Sequence, residues 1–457
     1  MKNNRIRQFI TEHSYKFIAL IVAFSLLISI SGIGTAIVLV RKAKQAGNST
    51  KPTNTTTETK PTATAPQTKL ELEKAAEQLT AQIKKNPNDP SLYTQRAAVY
   101  YNLGRTGDAI ADYTSALALK EDPKTRSLRA VVDAASGNNQ SAYEDLAVAL
   151  EAKPENKEYL SLMADTCNAL KKYDQALIHL NTLLVADPDN CVLRTLAGDA
   201  CIYLEKYEES LPHYEKAISC YNDAAKKSGI SKASLYNAYG NALKTLERYA
   251  QAAEAYDQSL QLEETKELYF QRGFCMLQTE KYAEANADFT KCIELGYETA
   301  SASFQRGLCY YATAEYTKAI ADFKVYEEAF PDKTDSLLYM GLCYQNEKDY
   351  TTTISYYKKC INADISVGNC YFNLGNCYYN QEDFATAVDY YTKAIEKDSY
   401  LYESLLNRGV SYVKLNKYNE AKADLKKVID ECKDTDLVEN ATKSYDPIKN
   451  ITIITKK

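Results

Sequence analysis

Twelve cysteines and three histidines are the side chains of this 457-residue chain best suited to nucleophilic, redox or metal chemistry. Their spacing points elsewhere. Cys275, Cys309, Cys343 and Cys377 follow one another at intervals of 34 residues, and Cys167 and Cys201 are separated by the same interval. No two cysteines stand in the CxxC spacing of zinc sites and thiol oxidoreductases. A free cysteine behaves as a small buried hydrophobe, and strict recurrence is what filling one repeated core position produces. Cys275 with Cys292, and Cys343 with Cys360, are the pairs placed to meet across a hairpin. His179 and His213 also differ by 34, and no motif sets a serine, cysteine or carboxylate beside either of them. The expectation is a chain with no catalytic residue, no metal site and no cofactor. One charged pattern recurs alongside: Arg96, Arg129, Arg272, Arg306 and Arg408 are followed sixteen positions later by Asp112, Asp145, Asp288, Asp322 and Asp424.

The elements that must position these residues are copies of one unit. Starts at 90, 123, 157, 191, 233, 266, 300, 334, 368 and 402 divide residues 90–433 into ten units, spaced by 33 or 34 residues except for one interval of 42. A fixed period of this size is the signature of a solenoid of stacked helix pairs. Position 8 of every unit is Gly or Ala, and position 20 is Ala in eight, with Ser210 and Thr353 in the others. Small residues at two facing points let antiparallel helices A and B close tightly, and the large residue at position 24, such as Phe323 or Tyr391, fills the space beside them. Arg at position 7 and Asp at position 23 occur in the same five units, so the two are expected to pair across the A–B seam and set its register. Residues 69–89 match only the second half of a unit and read as a leading capping helix. The 42-residue interval inserts residues near Tyr221, expected to lengthen helix B of the fourth unit up to a stop at Gly229.

The unit resembles the tetratricopeptide repeat family, most plainly in "YFNLGNCYYNQEDFATAVDYYTKAIEKD" at residues 371–398. Tyr371 stands in the family's Trp position, and Leu374, Gly375, Tyr378, Ala387 and Tyr391 follow at the family's spacing. The chain departs from the pattern in having no Trp, and in keeping the terminal Pro only as Pro154, Pro188 and Pro331. The resemblance covers about three quarters of the chain and implies an all-α fold, a right-handed superhelix of antiparallel helix pairs. It also implies a binding groove, because relatives hold their ligands on helix A at positions 2, 5, 9, 12 and 13. Carried over, the later units supply Phe270, Phe274, Phe304, Leu308, Tyr311 and Leu338. Leu342, Phe372, Asn376, Tyr379 and Gln345 continue the series, and the fifth unit adds Asn237 and Asn241. Earlier units place Thr94, Asp165, Asn168, Thr195 and Asp199 there, so the groove changes from polar to apolar along its length. The Lys/Asn/Arg clamp with which some relatives hold a C-terminal carboxylate is not reproduced.

Composition agrees with a binding role. Fifty-five basic and sixty acidic residues leave a net charge of −5, which would not draw the chain to nucleic acid. Residues 1–16 are short and basic, and residues 17–40 contain no charge. As a helix that run would reach ~36 Å, enough for a ~30 Å hydrocarbon core, and it reads as an uncleaved transmembrane anchor. Residues 41–68 are Thr- and Pro-rich with no apolar periodicity and read as a flexible spacer. Residues 434–457 are expected to be a disordered tail.

The expected function is a membrane-anchored, non-catalytic scaffold that binds a protein or peptide partner in its concave groove. Alternatives are a cytosol-facing adaptor or co-chaperone-like assembly factor, and an enzyme using the repeats as a substrate clamp. The enzyme is disfavoured because no non-repeat domain follows residue 433. Basic residues nearly balance across residues 17–40, so they do not orient the span. The spacer favours an array outside the cytoplasm, the unpaired thiols a reducing compartment. An exported array in an anaerobic cell reconciles the two, and the extracytoplasmic orientation is the expectation.

Overall fold

The computed structural model describes residues 68–451, and every regular element among them is a helix. The stack begins with α1 (Lys69–Lys85), α2 (Pro90–Asn102), α3 (Thr106–Leu119), α4 (Pro123–Ala135), α5 (Asn139–Ala152), α6 (Lys157–Ala169) and α7 (Tyr173–Ala186). It continues through α8 (Cys191–Tyr203), α9 (Tyr207–Ser219), α10 (Asp223–Lys227), α11 (Lys232–Thr245), α12 (Tyr249–Leu262), α13 (Lys266–Gln278) and α14 (Tyr282–Glu294). The remainder is α15 (Thr299–Ala312), α16 (Tyr316–Ala329), α17 (Leu337–Asn346), α18 (Tyr350–Asn362), α19 (Val367–Asn380) and α20 (Phe384–Glu396), then α21 (Leu401–Lys414), α22 (Tyr418–Glu431) and α23 (Thr435–Tyr445). Each helix packs chiefly on its neighbours in sequence, which makes this an all-helical solenoid.

Close approach of A and B rests on the small residues. A β-carbon added at Gly375 would lie 2.5 Å from Cε1 of Tyr391, and at Gly341 2.6 Å from Cε1 of Tyr357. Gly198, Gly240 and Gly307 likewise face the rings of Tyr214, Tyr256 and Phe323. Those rings are fully buried, so these units close by laying one large side chain of helix B on the bare backbone of helix A, while Ala97, Ala130 and Ala164 hold the position in the first three. Opposite them, Ala109, Ala142, Ala176 and their equivalents are also fully buried.

The A-to-B turn is the same in every unit. Its position 15 has left-handed backbone throughout, but only Gly104 and Gly137 are glycines; Lys171, Glu205, Glu247, Glu280, Ala314, Lys348, Glu382 and Asn416 adopt φ of 58–63° there. The next amide donates back across the turn, as from Arg105 N to Tyr100 O at 2.8 Å and from Glu315 N to Tyr310 O at 2.8 Å. This closes helix A in the manner of a Schellman motif. Asp89, Asp122, Asn156, Asn190, Ser231 and Thr265 cap the following A helices through their side chains.

Two expectations are corrected here. The inserted residues of the fourth unit do not lengthen helix B: α9 ends at Ser219 and α10 is a separate five-residue helix, stopped at Gly229 with φ 82°. Asn222 starts α10 by accepting from Ala224 N and Ala225 N, which interrupts the helix where continuation was expected. The tail is not disordered through residue 451. Leu437 and Ala441 on α23, and Ile448 beyond it, are buried against Leu405, Leu425 and Val428, covering the apolar face that the last repeat would otherwise expose. Residues 1–67 and 452–457 lie outside the described residues, including the span expected at 17–40 and nearly all of the spacer. No described helix is long and apolar enough to cross a membrane.

Candidate functional site

Helix A lines the inner side of the stack. Successive A helices touch, as α4 with α6, α13 with α15 and α19 with α21, whereas no successive B helices are in comparable contact, which is the geometry of the shorter arc of a curved stack. The face they present is held by a repeated side-chain device. Arg306 lays Nε and Nη2 on the two carboxylate oxygens of Asp322, at 2.8 Å each. Arg96 with Asp112, Arg129 with Asp145, Arg272 with Asp288 and Arg408 with Asp424 repeat this bidentate pair at 2.7–2.9 Å. The remaining guanidinium nitrogen reaches helix B of the preceding unit: Nη1 donates to Oγ1 of Thr80, Thr114, Thr290 and Thr392, and in Arg272 to Asp257. Each arginine thus joins three helices, and the inter-unit link was missed in the sequence. Its signal was present, since the residue two after the Asp position is Thr or Asp in the segment preceding every Arg unit.

Four of the five units without this pair use another, and the third, with Leu180 at the equivalent position, has neither. Tyr214, Tyr256 and Tyr391 on helix B donate to Asp199, Asn241 and Asn376 on helix A at 2.7–2.8 Å, and Tyr357 donates to Gln345. Asn376 also accepts from Asn407 at 3.1 Å, and Asn241 donates to Asn237 at 3.2 Å. The acceptor oxygens of Asn241 and Asn376 therefore support the hairpin rather than stand ready for a ligand.

The apolar candidates divide. Phe304 is 4% exposed, with its ring against Phe323, Tyr326 and Tyr339 at centroid distances of 5.6, 4.6 and 6.3 Å. It is core and is removed from the candidate surface, because Phe323 and Tyr326 of its own helix B and Tyr339 of the next A helix close over it. Phe270, Phe274, Leu308, Tyr311, Leu338, Leu342, Phe372 and Tyr379 are half-buried, each with part of its side chain open to solvent. Several are braced by rings behind them: Phe270 by Phe289, Phe274 by Tyr249, Phe372 by Tyr400 and Tyr379 by Phe384. They form a firm, partly apolar face on helices α13, α15, α17 and α19.

Further along, the helix A residues are polar. Desolvation pushes the carboxyl of half-buried Asp199 up to about 6, while Asp165 stands exposed on α6. Lys244, absent from the sequence-derived candidates although it occupies position 12, has its ammonium pKa lowered by burial and donates to Gln271 Oε1 at 2.5 Å. Periodicity alone marked the position but not the charge enclosed there.

The reactive side chains are enclosed. Ten cysteines are buried, Cys220 and Cys432 are half-exposed, and all are free thiols. Burial pushes Cys167 up to about 11 and Cys275 and Cys343 up to about 12, which suppresses the thiolate. Cys275 and Cys292, and Cys343 and Cys360, the pairs whose spacing allows a meeting across a hairpin, are free thiols that fall in separate apolar clusters. His179 and His213 have pKa values lowered by burial; His213 faces Arg194 Nη1 at 3.5 Å. Among the described residues no group of three or more His, Cys, Asp or Glu is arranged to hold a metal ion.

Comparison with known proteins gives a single family. Models described as tetratricopeptide repeat match residues 90–123, 133–197, 189–265, 277–334, 335–364, 368–400 and 402–435. A search of curated proteins found no match. Among solved structures, the chain is similar to a tetratricopeptide repeat protein from Parabacteroides merdae, at 23% identity over 53% of this chain and 93% of that one, with a TM-score of 0.34. It is similar to YrrB, described as a TPR protein with an unusual peptide-binding site, at 22% identity over 41% and 93%, TM-score 0.36. Yeast Tom70 aligns at 15% identity over 79% and 95%, TM-score 0.32.

Proposed function

Because the chain belongs to the tetratricopeptide repeat family, whose members are typically non-catalytic scaffolds for protein–protein interaction, we propose that it is a membrane-anchored scaffold that binds an extended protein or peptide segment along helices α11–α19. The observation that carries this reading is the row of half-buried apolar side chains, Phe270, Phe274, Leu308, Tyr311, Leu338, Leu342, Phe372 and Tyr379, on the A helices. Rings fixed from behind contribute contact area with little loss of rotamer freedom on binding, which suits them to anchor a partner's apolar side chains. Asn237 and Asn241 lie at the polar end of the row. Residues 17–40 supply the anchor and residues 41–68 the tether, with the array outside the cytoplasm. No nucleic acid is involved.

A photo-crosslinking amino acid placed at Leu342 or Phe274 in the full-length chain, in its native membranes, tests the face. Discrete adducts at these positions, and none from Val185 on α7, where the side chain is 85% exposed, are expected. Equal labelling at all three positions would remove the proposed face. Carbonate extraction tests the anchor: the full chain should stay with the membrane and a chain beginning at residue 69 should be released.

A further inference from the structure

The thiols of the fourth unit are arranged differently from the others. Cys191 is the first residue of α8 and is 2% exposed, whereas Cys220 caps the C-terminus of α9 and is half-exposed. Sγ of Cys191 lies 3.3 Å from the carbonyl oxygen of Ala217; Sγ of Cys220 donates to Lys216 O at 2.8 Å and lies 3.8 Å from the same Ala217 oxygen. The two side chains thus converge on Ala217, and Cys220 packs against the apolar cluster that Cys191 forms with Ala217, Ala225 and Leu235. Cys360 and Cys370 also meet, but both are fully buried. The fourth-unit pair combines a sulfur that solvent reaches with a second sulfur sheltered behind it.

We propose that Cys191 and Cys220 form a redox-active dithiol that exchanges with low-molecular-weight disulfides, closing the α8–α9 hairpin covalently at its open end. The Cys220 thiolate attacks one sulfur of the disulfide RSSR, whose S–S bond breaks; the leaving RS⁻ takes up the proton that Cys220 released. Cys191 then attacks Sγ of the mixed disulfide, and its proton passes to the second departing RS⁻. Two protein thiols are oxidised by two electrons, and RSSR is reduced to two RSH. The inserted segment governs the second attack, since α10 buries Ala225 beside Cys191 and Tyr221 is tied to Ile230 O at 3.1 Å. Local opening of this short helix, without unfolding of the array, admits Cys191 to the exchange. Burial keeps both thiols protonated near neutral pH, and the Lys216–Asp189 ion pair beside Cys220 adds opposing charges, so exchange is slow and accelerated by base.

The test uses the full-length chain with oxidised glutathione as the probe, acid quenching, alkylation of remaining thiols and non-reducing peptide mapping. The unmodified chain is expected to gain a Cys191–Cys220 crosslink with loss of two hydrogens and no retained glutathione. Cys191→Ser should trap one glutathione on Cys220, and Cys220→Ser should gain neither product. Helical circular dichroism accompanies each variant, and Cys191→Ala replaces the serine variant should its helical signal fall. Failure of the Cys191 variant to trap glutathione, or retention of glutathione on Cys220 in the unmodified chain, would overturn the proposal. Crosslinking of Cys360 with Cys370 at the same rate would do so too, because it would mean that the whole array opens.

Discussion

Arg306 shows how much one side chain organises. Its guanidinium is 20% exposed and is divided between Asp322, 8% exposed, in its own unit and Thr290 in the preceding one. Arg306→Ala would leave the carboxylate without its counter-ion, at an expected loss of about 3–5 kcal/mol in denaturant unfolding. Replacing both partners to copy the ninth unit, as Arg306→Leu with Asp322→Tyr, should recover most of that loss, because Leu374 and Tyr390 occupy these positions there. Thr290→Val should cost about 1 kcal/mol alone and almost nothing in the Leu/Tyr background; equal cost in both would deny the inter-unit bond. Asp199 makes a pH-dependent prediction. Burial pushes its carboxyl up to about 6 in the fold, above the ordinary aspartate value of about 3.9, so folding favours its protonated form: the stability it contributes is present below about 4 and is lost as pH rises through 6. Asp199→Asn keeps an acceptor for Tyr214, as Asn241 does for Tyr256, and should raise stability by about 1 kcal/mol at pH 7.5 after allowance for solvent screening. The gain should vanish by pH 4. The Arg–Asp pairing was legible because both residues recur in the same units. The Tyr-to-Asn bonds were not, because each residue taken singly fits another role.

At the scale of the element, the A-to-B turn departs most from what residue types announce. Position 15 is left-handed in every unit, yet eight of the ten residues there are not glycine. Non-glycine residues in that conformation cost about 1 kcal/mol each, a cost that the closure of helix A onto helix B sustains. Ala314, at φ 62°, has no side-chain hydrogen bond to compensate, and Ala314→Gly should raise the unfolding free energy by about 0.5–1 kcal/mol despite the added chain entropy of glycine. A fall would show that the turn is unstrained. The junction of the seventh and eighth units carries a second local departure. Tyr326 sits where the other units carry Ala, Ser, Cys, Leu or Val, and its hydroxyl donates to Asp335 at 2.8 Å. Helix α17 starts only at Leu337, after this contact, and runs ten residues. A recurring pattern predicts the average unit; a single bulky residue at a packed position shifts a helix start without altering the period.

Across the whole molecule, contacts run from each unit to the next, so a local loss stays local. Removing residues 435–457 uncovers the face that Leu437, Ala441 and Ile448 seal on α21 and α22. At about 1.5–3 kcal/mol for each large side chain, the last repeat should lose about 3–6 kcal/mol. Hydrogen exchange should quicken in α21 and α22 while α2–α5 stay protected; uniform acceleration would contradict the one-dimensional picture. The all-helical class, the helix-pair period, the recurring small residues and the Arg–Asp register were readable from the chain, because each copy states the same packing requirement and the copies corroborate one another. The folding of α23, the break before α10, the burial of Phe304 and the meeting of Cys191 with Cys220 were decided only in three dimensions. These depend on which neighbour closes over a side chain, and that neighbour belongs to another unit or to a segment without copies, where no recurrence exists to read.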